Sequence, residues 1–389
     1  MVKKIPAFLG LSLFALPLAW ADDDHHDHAR FPRDASFTTL ITTKFTIEGL
    51  TGDDRGNLYT TGRPSGQPCP VWRIGANEPT PDPIPIVGFV PAPCSPSGIA
   101  FDAKGDLFIS DNDKIWTLTP NEGTPPTATI YASGVTGTNG LAFDRGGNLW
   151  TGDGVTGLGR VWKIPPHAGT IAAGPEVFRV QPMVNTVTAT VVISGVPTNF
   201  PVGRDVRTSP TGNSQPLVAN GIAFNHEGDM LIADTARGAI WKVEINRDGS
   251  IRSPMNCDTT FTANTLCLDN IFVVHPYLDG ADGIALDAAG NTWVDANERN
   301  AIAVVTRKGH VIEVFRNEPN AANLRNGGPL ETPTSPFLLG HKFCTANSDG
   351  NRRDNAPNTA GEIAPGSANQ GKISCMDQPL KIRGMRLPI

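Results

Sequence analysis

Short apolar stretches separated by polar turns run along the chain, and five of them open on one phrase with a single variable position: Glu48-Gly-Leu, Ser97-Gly-Ile, Asn139-Gly-Leu, Asn220-Gly-Ile and Asp282-Gly-Ile. Each phrase leads a short strand, an acidic or amide residue, a turn glycine and a second strand, as in Asn139-Gly-Leu-Ala-Phe-Asp-Arg-Gly-Gly-Asn-Leu-Trp. Self-similarity at a long period marks a repeat fold. The pattern predicts units of four antiparallel strands. In the third unit, residues 140–144 form the inner strand, 145–148 the turn and 149–153 the second strand. Trp72-Arg-Ile, Trp116-Thr-Leu, Trp162-Lys-Ile and Trp241-Lys-Val fall on third strands. An aromatic recurring at one structural position is expected to pack between neighbouring sheets.

A sixth unit is legible in Thr334-Ser-Pro-Phe, Lys342-Phe-Cys-Thr-Ala-Asn and Gly371-Lys-Ile-Ser-Cys, and it lacks a fourth strand. Residues 36–47 carry β-branched side chains with no partner of their own. Closing the ring with that N-terminal strand removes an exposed edge. The expected fold is therefore all-β, a six-bladed β-propeller spanning 36–389 and closed by an N-terminal strand. Long gaps after Asn139 and Asn220 call for insertions, with 180–214, rich in Val, Thr and Pro, expected to form a hairpin that could act as a lid over the axial mouth. The Asn/Gly-rich stretch 347–370 reads as a long loop on the ligand face.

Lys3 and Lys4, an apolar run from Ile5 to Leu18 and Ala19-Trp20-Ala21 have the order of a secretory signal peptide over 1–21. Residues 22–35, acidic and His-rich, read as a disordered linker. An exported protein follows, periplasmic or secreted, with no membrane association once the signal is cleaved. A net charge of -6 argues against a nucleic-acid partner, which needs a basic face. Forty-one glycines and 34 prolines suit many strands joined by turns. Six cysteines in an exported chain point to disulfides. The repeat frame pairs Cys69 with Cys94, Cys257 with Cys267 and Cys344 with Cys375. A closed ring with no free edge is expected to be a monomer.

In a circular array the variable first position of each unit points at the common axis. Glu48, Asn139, Asn220 and Asp282 would meet there, two charges and two amide oxygens suited to a hard cation such as calcium. Ser97 and Thr334 complete the ring as pocket residues. Arg63, Arg237 and Arg299, in loops after second strands, are candidates to hold an acidic or hydroxylated substrate.

The pattern resembles the senescence-marker-protein, gluconolactonase and luciferin-regenerating-enzyme family, kin of the paraoxonases. Val218-Ala-Asn-Gly-Ile-Ala-Phe and Ala281-Asp-Gly-Ile-Ala carry the nearest likeness. The resemblance implies a six-bladed propeller with an axial calcium ion held by Glu48, Asn139, Asn220 and Asp282. Where the family often has Gly-Pro and an aromatic after its Glu, this chain has Gly-Leu-Thr.

The implied activity is a metal-dependent hydrolysis of lactones or related esters, small-molecule substrates whose carbonyl the metal polarises while it activates water. Asp282 is the candidate general base or nucleophile. His275 is the alternative base, suggested by the likeness to paraoxonases. No serine lies in a Gly-x-Ser-x-Gly setting, against a serine-esterase route. The competing reading is a non-catalytic propeller that binds a glycan, peptide or protein and keeps a structural metal.

Overall fold

The computed structural model describes residues 31–32, 34–75, 82–167, 169–171, 176–181, 188–193, 196–201, 217–246, 249–252, 265–266, 268–321, 325, 327–348 and 370–385. The signal segment, Cys257, Cys267 and 349–369 lie outside the described residues. Alternating Val, Ile, Leu and aromatic residues fit pleated strands buried on both faces, and they form six propeller sheets.

Unit one orders Ile47–Gly52, Asn57–Gly62, Cys69–Gly75 and Ile86–Val90 from inner to outer strand. Unit two follows with Pro96–Phe101, Leu107–Asp111, Lys114–Leu118 and Thr129–Ser133. Thr138–Phe143, Leu149–Asp153, Arg160–Ile164 and Glu176–Val180 build unit three, with Thr265–Leu266 added in parallel at its edge. Unit four is Ile222–Phe224, Met230–Asp234, Ala239–Val243 and Ile271–Val274, and unit five is Ala281–Leu286, Thr292–Ala296, Ala301–Val305 and Val311–Arg316. In unit six, Pro333–Leu339, Lys342–Asn347 and Lys372–Met376 are completed by Phe37–Thr42, so the N-terminal strand closes the ring.

The core is a ring of layers between consecutive units. Trp72 and Ile74 of unit one pack with Ile373 and Ala346 of unit six. Trp162 and Ile164 of unit three meet Phe108 and Ile115 of unit two, and Trp241 of unit four meets Trp150 and Phe178 of unit three. The third-strand tryptophans are thus inter-sheet packing, each large side chain contributing roughly 1.5–3 kcal/mol on burial. Phe31, on the linker by sequence, is buried against Trp293 with ring centroids 5.8 Å apart. Its aromatic area places packed chain four residues before Ala35, which is buried as well.

Repeated turn chemistry closes the first hairpins. Asp53, Asp144 and Asp287 each accept two main-chain N–H groups on Oδ1, the side-chain turn that short carboxylates make. Cys69–Cys94 ties the third strand of unit one to the loop into unit two, and Cys344–Cys375 joins directly paired residues on adjacent strands of unit six. Thr188–Ile193 and Val196–Pro201 form the expected hairpin in the insertion, beside the 3-10 turn Leu268–Asn270.

Candidate functional site

The second residue of the repeated phrase explains why it is glycine. A Cβ on Gly49 would stand 2.2 Å from the carbonyl oxygen of Ser97, and one on Gly98 would stand 2.0 Å from that of Asn139. The same holds for Gly140 against Asn220 O at 2.5 Å, Gly221 against Asp282 O at 2.4 Å and Gly283 against Thr334 O at 2.3 Å. Each inner strand therefore presses its glycine on the first-position carbonyl of the next unit. In unit six the second residue is Ser335, and there Thr334 donates from Oγ1 to Glu48 O at 2.7 Å. The six first positions thus follow one another around a closed ring.

Side chains within the ring are individually anchored. Asn220 donates from Nδ2 to Thr235 Oγ1 at 3.0 Å, and Thr235 donates onward to Ala281 O. The Asn220 Oδ1 and Asn139 Nδ2 atoms lie 2.7 and 2.8 Å from the place a Cβ on Gly154 would occupy, so these two amides converge where that glycine leaves room. Asp282 is buried and accepts on Oδ2 from Asn297 Nδ2 at 2.8 Å. Glu48 is half-buried and pairs through Oε2 with Arg63 at 2.7 Å, while Arg63 Nε donates to Pro96 O. Ser97 Oγ lies 3.2 Å from Ser110 Oγ and donates to Thr138 O.

The remaining sequence candidates each have partners of their own. Arg237 is fully buried in the turn after Met230–Asp234 and holds Asp234 at 2.8 Å, which makes it part of that turn. Arg299 pairs with Glu313 at 2.7 Å and lies over the Tyr277 ring. His275 follows the outer strand of unit four and caps the 3-10 turn Pro276–Leu278, its Nδ1 accepting from Tyr277 N. Burial and then the Arg299 charge lower its pKa, so the ring is neutral at neutral pH.

Two acids near Asp282 escaped the sequence reading. Asp279 has its carboxyl pushed up to about 7, first by burial, with Arg299 and Arg316 opposing and Glu298 reinforcing. Its Oδ1 has no hydrogen-bond partner. Asp295 is wholly buried, which raises its pKa well above the usual carboxylate range; Thr345 Oγ1 donates to its Oδ2 at 2.5 Å. The register aligns Asp295 with Thr61, Ser110 and Gly152 on second strands. A carboxylate where other units carry small residues was the signal available. Among the described residues no three His, Cys, Asp or Glu side chains gather as a metal cluster. The ring instead combines two carboxylates with two amides.

Residues 205–330 match the family model described as the SMP-30/Gluconolactonase/LRE-like region. No curated protein sequence matches the chain. Among solved structures, the calcium-binding protein regucalcin from Agrobacterium tumefaciens is similar with a TM-score of 0.55 and 15% identity, over 92% of this chain and 98% of that one. A luciferin-regenerating enzyme is similar with a TM-score of 0.52 and 14% identity, over 90% of this chain and 97% of that one. The chain is thus similar to the SMP-30/gluconolactonase/LRE-like family, in sequence over the stretch that holds Asn220 and Asp282 and in fold along nearly its whole length.

Proposed function

We propose that this protein is an exported, calcium-dependent hydrolase of lactones or related esters, acting at the ring of Glu48, Asn139, Asn220 and Asp282. The observation that carries the reading is the convergence of the Asn139 and Asn220 amides beside Gly154 within a ring that also holds two carboxylates. The donor set fits a hard cation in its residue types: two carboxylates and two amides, with Asn220 presenting Oδ1 and Asn139 able to present its oxygen once its amide turns Nδ2 away. Asn220 has its N–H2 end tied to Thr235, which turns Oδ1 away from that bond. When bound, the cation supplies Lewis-acid polarisation of a carbonyl and acidifies water.

The chain's own groups then orient and move protons. Asn297 holds Asp282 Oδ2, fixing a carboxylate that can accept a proton from attacking water. Arg63 holds Glu48 and sets its rotamer. Ser97 and Thr334 line the ring, with Thr334 committed to the Glu48 carbonyl. The family match and the calcium-binding relative support this reading. Two disulfides suit an oxidising compartment.

The test is hydrolysis of aldonolactones, aliphatic lactones and aryl esters by the mature protein as purified, after chelation and after calcium is restored. Activity lost and regained is the expected result. Activity indifferent to chelation would overturn the metal dependence, and calcium binding without turnover of any panel member would favour a binding propeller.

A further inference from the structure

A second circle of residues stands immediately outside the ring. In five units the residue before the ring position pairs with the last residue of the second strand: Ile47 with Gly62, Pro96 with Asp111, Thr138 with Asp153, Ala281 with Ala296 and Pro333 with Asn347. The residues that follow, Arg63, Asn112, Gly154, Asn297 and Ser348, therefore stand beside Glu48, Ser97, Asn139, Asp282 and Thr334. Thr235 has this place in unit four, where Asp234 pairs with Ala239 as Ala296 pairs with Ala301.

One main-chain bond orients three of them alike. Arg63 N donates to Thr46 O at 3.0 Å, Asn297 N to Gly280 O at 3.0 Å and Ser348 N to Thr332 O at 3.1 Å, each acceptor lying two residues before the ring position. Side chains at this place turn into the ring. Arg63 reaches Glu48, Asn297 reaches Asp282, and Thr235 accepts from Asn220. They also reach toward the next unit, as Arg63 Nε donates to Pro96 O and Thr235 Oγ1 to Ala281 O, both at 2.7 Å. In unit three a Cβ on Gly154 would stand 2.7 Å from Oδ1 of Asn220, the ring residue of that next unit. Asn112 departs from this pattern, being exposed, with a φ of 58° and its amide donated to Asp111.

By the same geometry Ser348 points between Thr334 of its own unit and Glu48 of the next. The residue is buried, and its Oγ has no hydrogen-bond partner. Its place is nonetheless a built one, because the preceding Asn347 accepts on Oδ1 from Glu331 N at 2.9 Å. Thr334 has its own hydroxyl committed to Glu48 O. A buried hydroxyl with no partner carries an uncompensated desolvation cost. Glu48 has the complementary lack. Among the described residues no uncharged group donates to its carboxylate, whereas Asp282 has Asn297. Its partner Arg63 is a cation, which a second cation in the ring would repel.

Resting on the reading of the ring as a cation site, we propose that Ser348 is the positioning residue for Glu48. Its hydroxyl donates to the Glu48 carboxylate when that side chain turns from Arg63 toward the cation, as Asn297 already does for Asp282. Carboxylates that ligate a metal are themselves held by hydrogen bonds, which fix their direction. A serine hydroxyl is a neutral donor, so it holds the carboxylate without adding positive charge beside the cation.

Calorimetric titration of calcium into the chelator-treated mature protein tests this, with parent, Ser348→Ala and Ser348→Thr compared. Ser348→Ala should weaken calcium binding by about tenfold or more, the usual loss when a hydrogen bond to a ligating group is removed. Ser348→Thr keeps the hydroxyl and should bind as the parent does. The urea midpoint of calcium-free Ser348→Ala should equal or exceed that of the parent, since a hydroxyl without a partner is removed. A serine with a merely structural role would lower it. A crystal structure of the calcium-loaded parent should bring Ser348 Oγ within hydrogen-bond distance of the Glu48 carboxylate. Calcium binding by the parent with equal affinity in folded Ser348→Ala, a lowered calcium-free midpoint, or a loaded structure with the two groups apart would overturn this assignment alone. No calcium uptake by the parent would overturn it together with the cation ring.

Discussion

Thr334 donates from its hydroxyl to the main-chain carbonyl of Glu48 at 2.7 Å, a bond across 286 residues that joins the last inner strand to the first. Elsewhere around the ring a glycine approaches the neighbouring carbonyl directly, and in unit six this hydroxyl takes that place. The circle of first-position residues is therefore held by main-chain contact in five units and completed by the Thr334 hydroxyl.

Gly140→Ala should be strongly destabilising, because the added Cβ would stand 2.5 Å from Asn220 O and 3.0 Å from the Gly221 backbone. Backbone atoms cannot swing aside as a flexible side chain does, so the cost should reach about 2–3 kcal/mol. Urea unfolding of parent and variant measures it. An unchanged midpoint would mean that the inner strands do not press together as described.

Unit six depends on an N-terminal strand for closure, and Cys344–Cys375 staples the two strands beside it. The Cys344→Ala/Cys375→Ala variant should lose about 2–4 kcal/mol. Proteolysis near residue 37 should become faster as the closing strand detaches more often. Equal urea midpoints and equal cleavage rates would contradict this role.

The pH dependence of stability should carry the mark of Asp279. Its folded pKa of about 7 stands above the ordinary 3.8, so the folded chain keeps a proton that the unfolded chain releases. That contribution is complete below the unfolded value and is lost as pH rises through the folded one. Asp279→Asn should therefore flatten the decline in stability between about pH 4 and pH 7, by on the order of 2 kcal/mol. Parallel profiles for parent and variant would refute the assignment.

Arg63 competes with any cation for Glu48, since its guanidinium occupies Oε2 at 2.7 Å. Arg63→Ala should tighten calcium binding by about tenfold, as one nearby positive charge is removed from a partly buried site. Weaker binding would show instead that the pair's chief work is to hold Glu48 in position.

Much of this architecture was legible because a propeller imposes the same constraint on every unit. The glycine after the first position of units one to five has no room for a Cβ, and a turn acid or amide with a turn glycine closes the early hairpin of each of these units, so the phrase recurs despite divergence around it. Sequence also placed the closing strand within 36–47, of which Phe37–Thr42 forms it, and paired Cys69 with Cys94 and Cys344 with Cys375. Residues that answer to partners distant in the chain were not legible. Arg237 reads as a loop cation, yet Asp234 draws it into the core. His275 reads as a candidate base, yet it caps a 3-10 turn at the outer strand of unit four. Asp279 and Asp295 lie outside the repeated phrase, and their protonation depends on burial between units, which no local pattern encodes. Phe31 sits beyond an acidic stretch, and only the Trp293 face it covers explains its order.

The central claim is that the ring of Glu48, Asn139, Asn220 and Asp282 is a cation site. Calorimetric titration of calcium into chelator-treated parent, Asn220→Ala and Asp282→Asn tests it most directly, with circular dichroism to show that each variant is folded. One calcium per parent chain, with affinity reduced at least tenfold in both folded variants, is the predicted result. No calcium uptake by the parent, or equal affinity in the variants, would contradict the account.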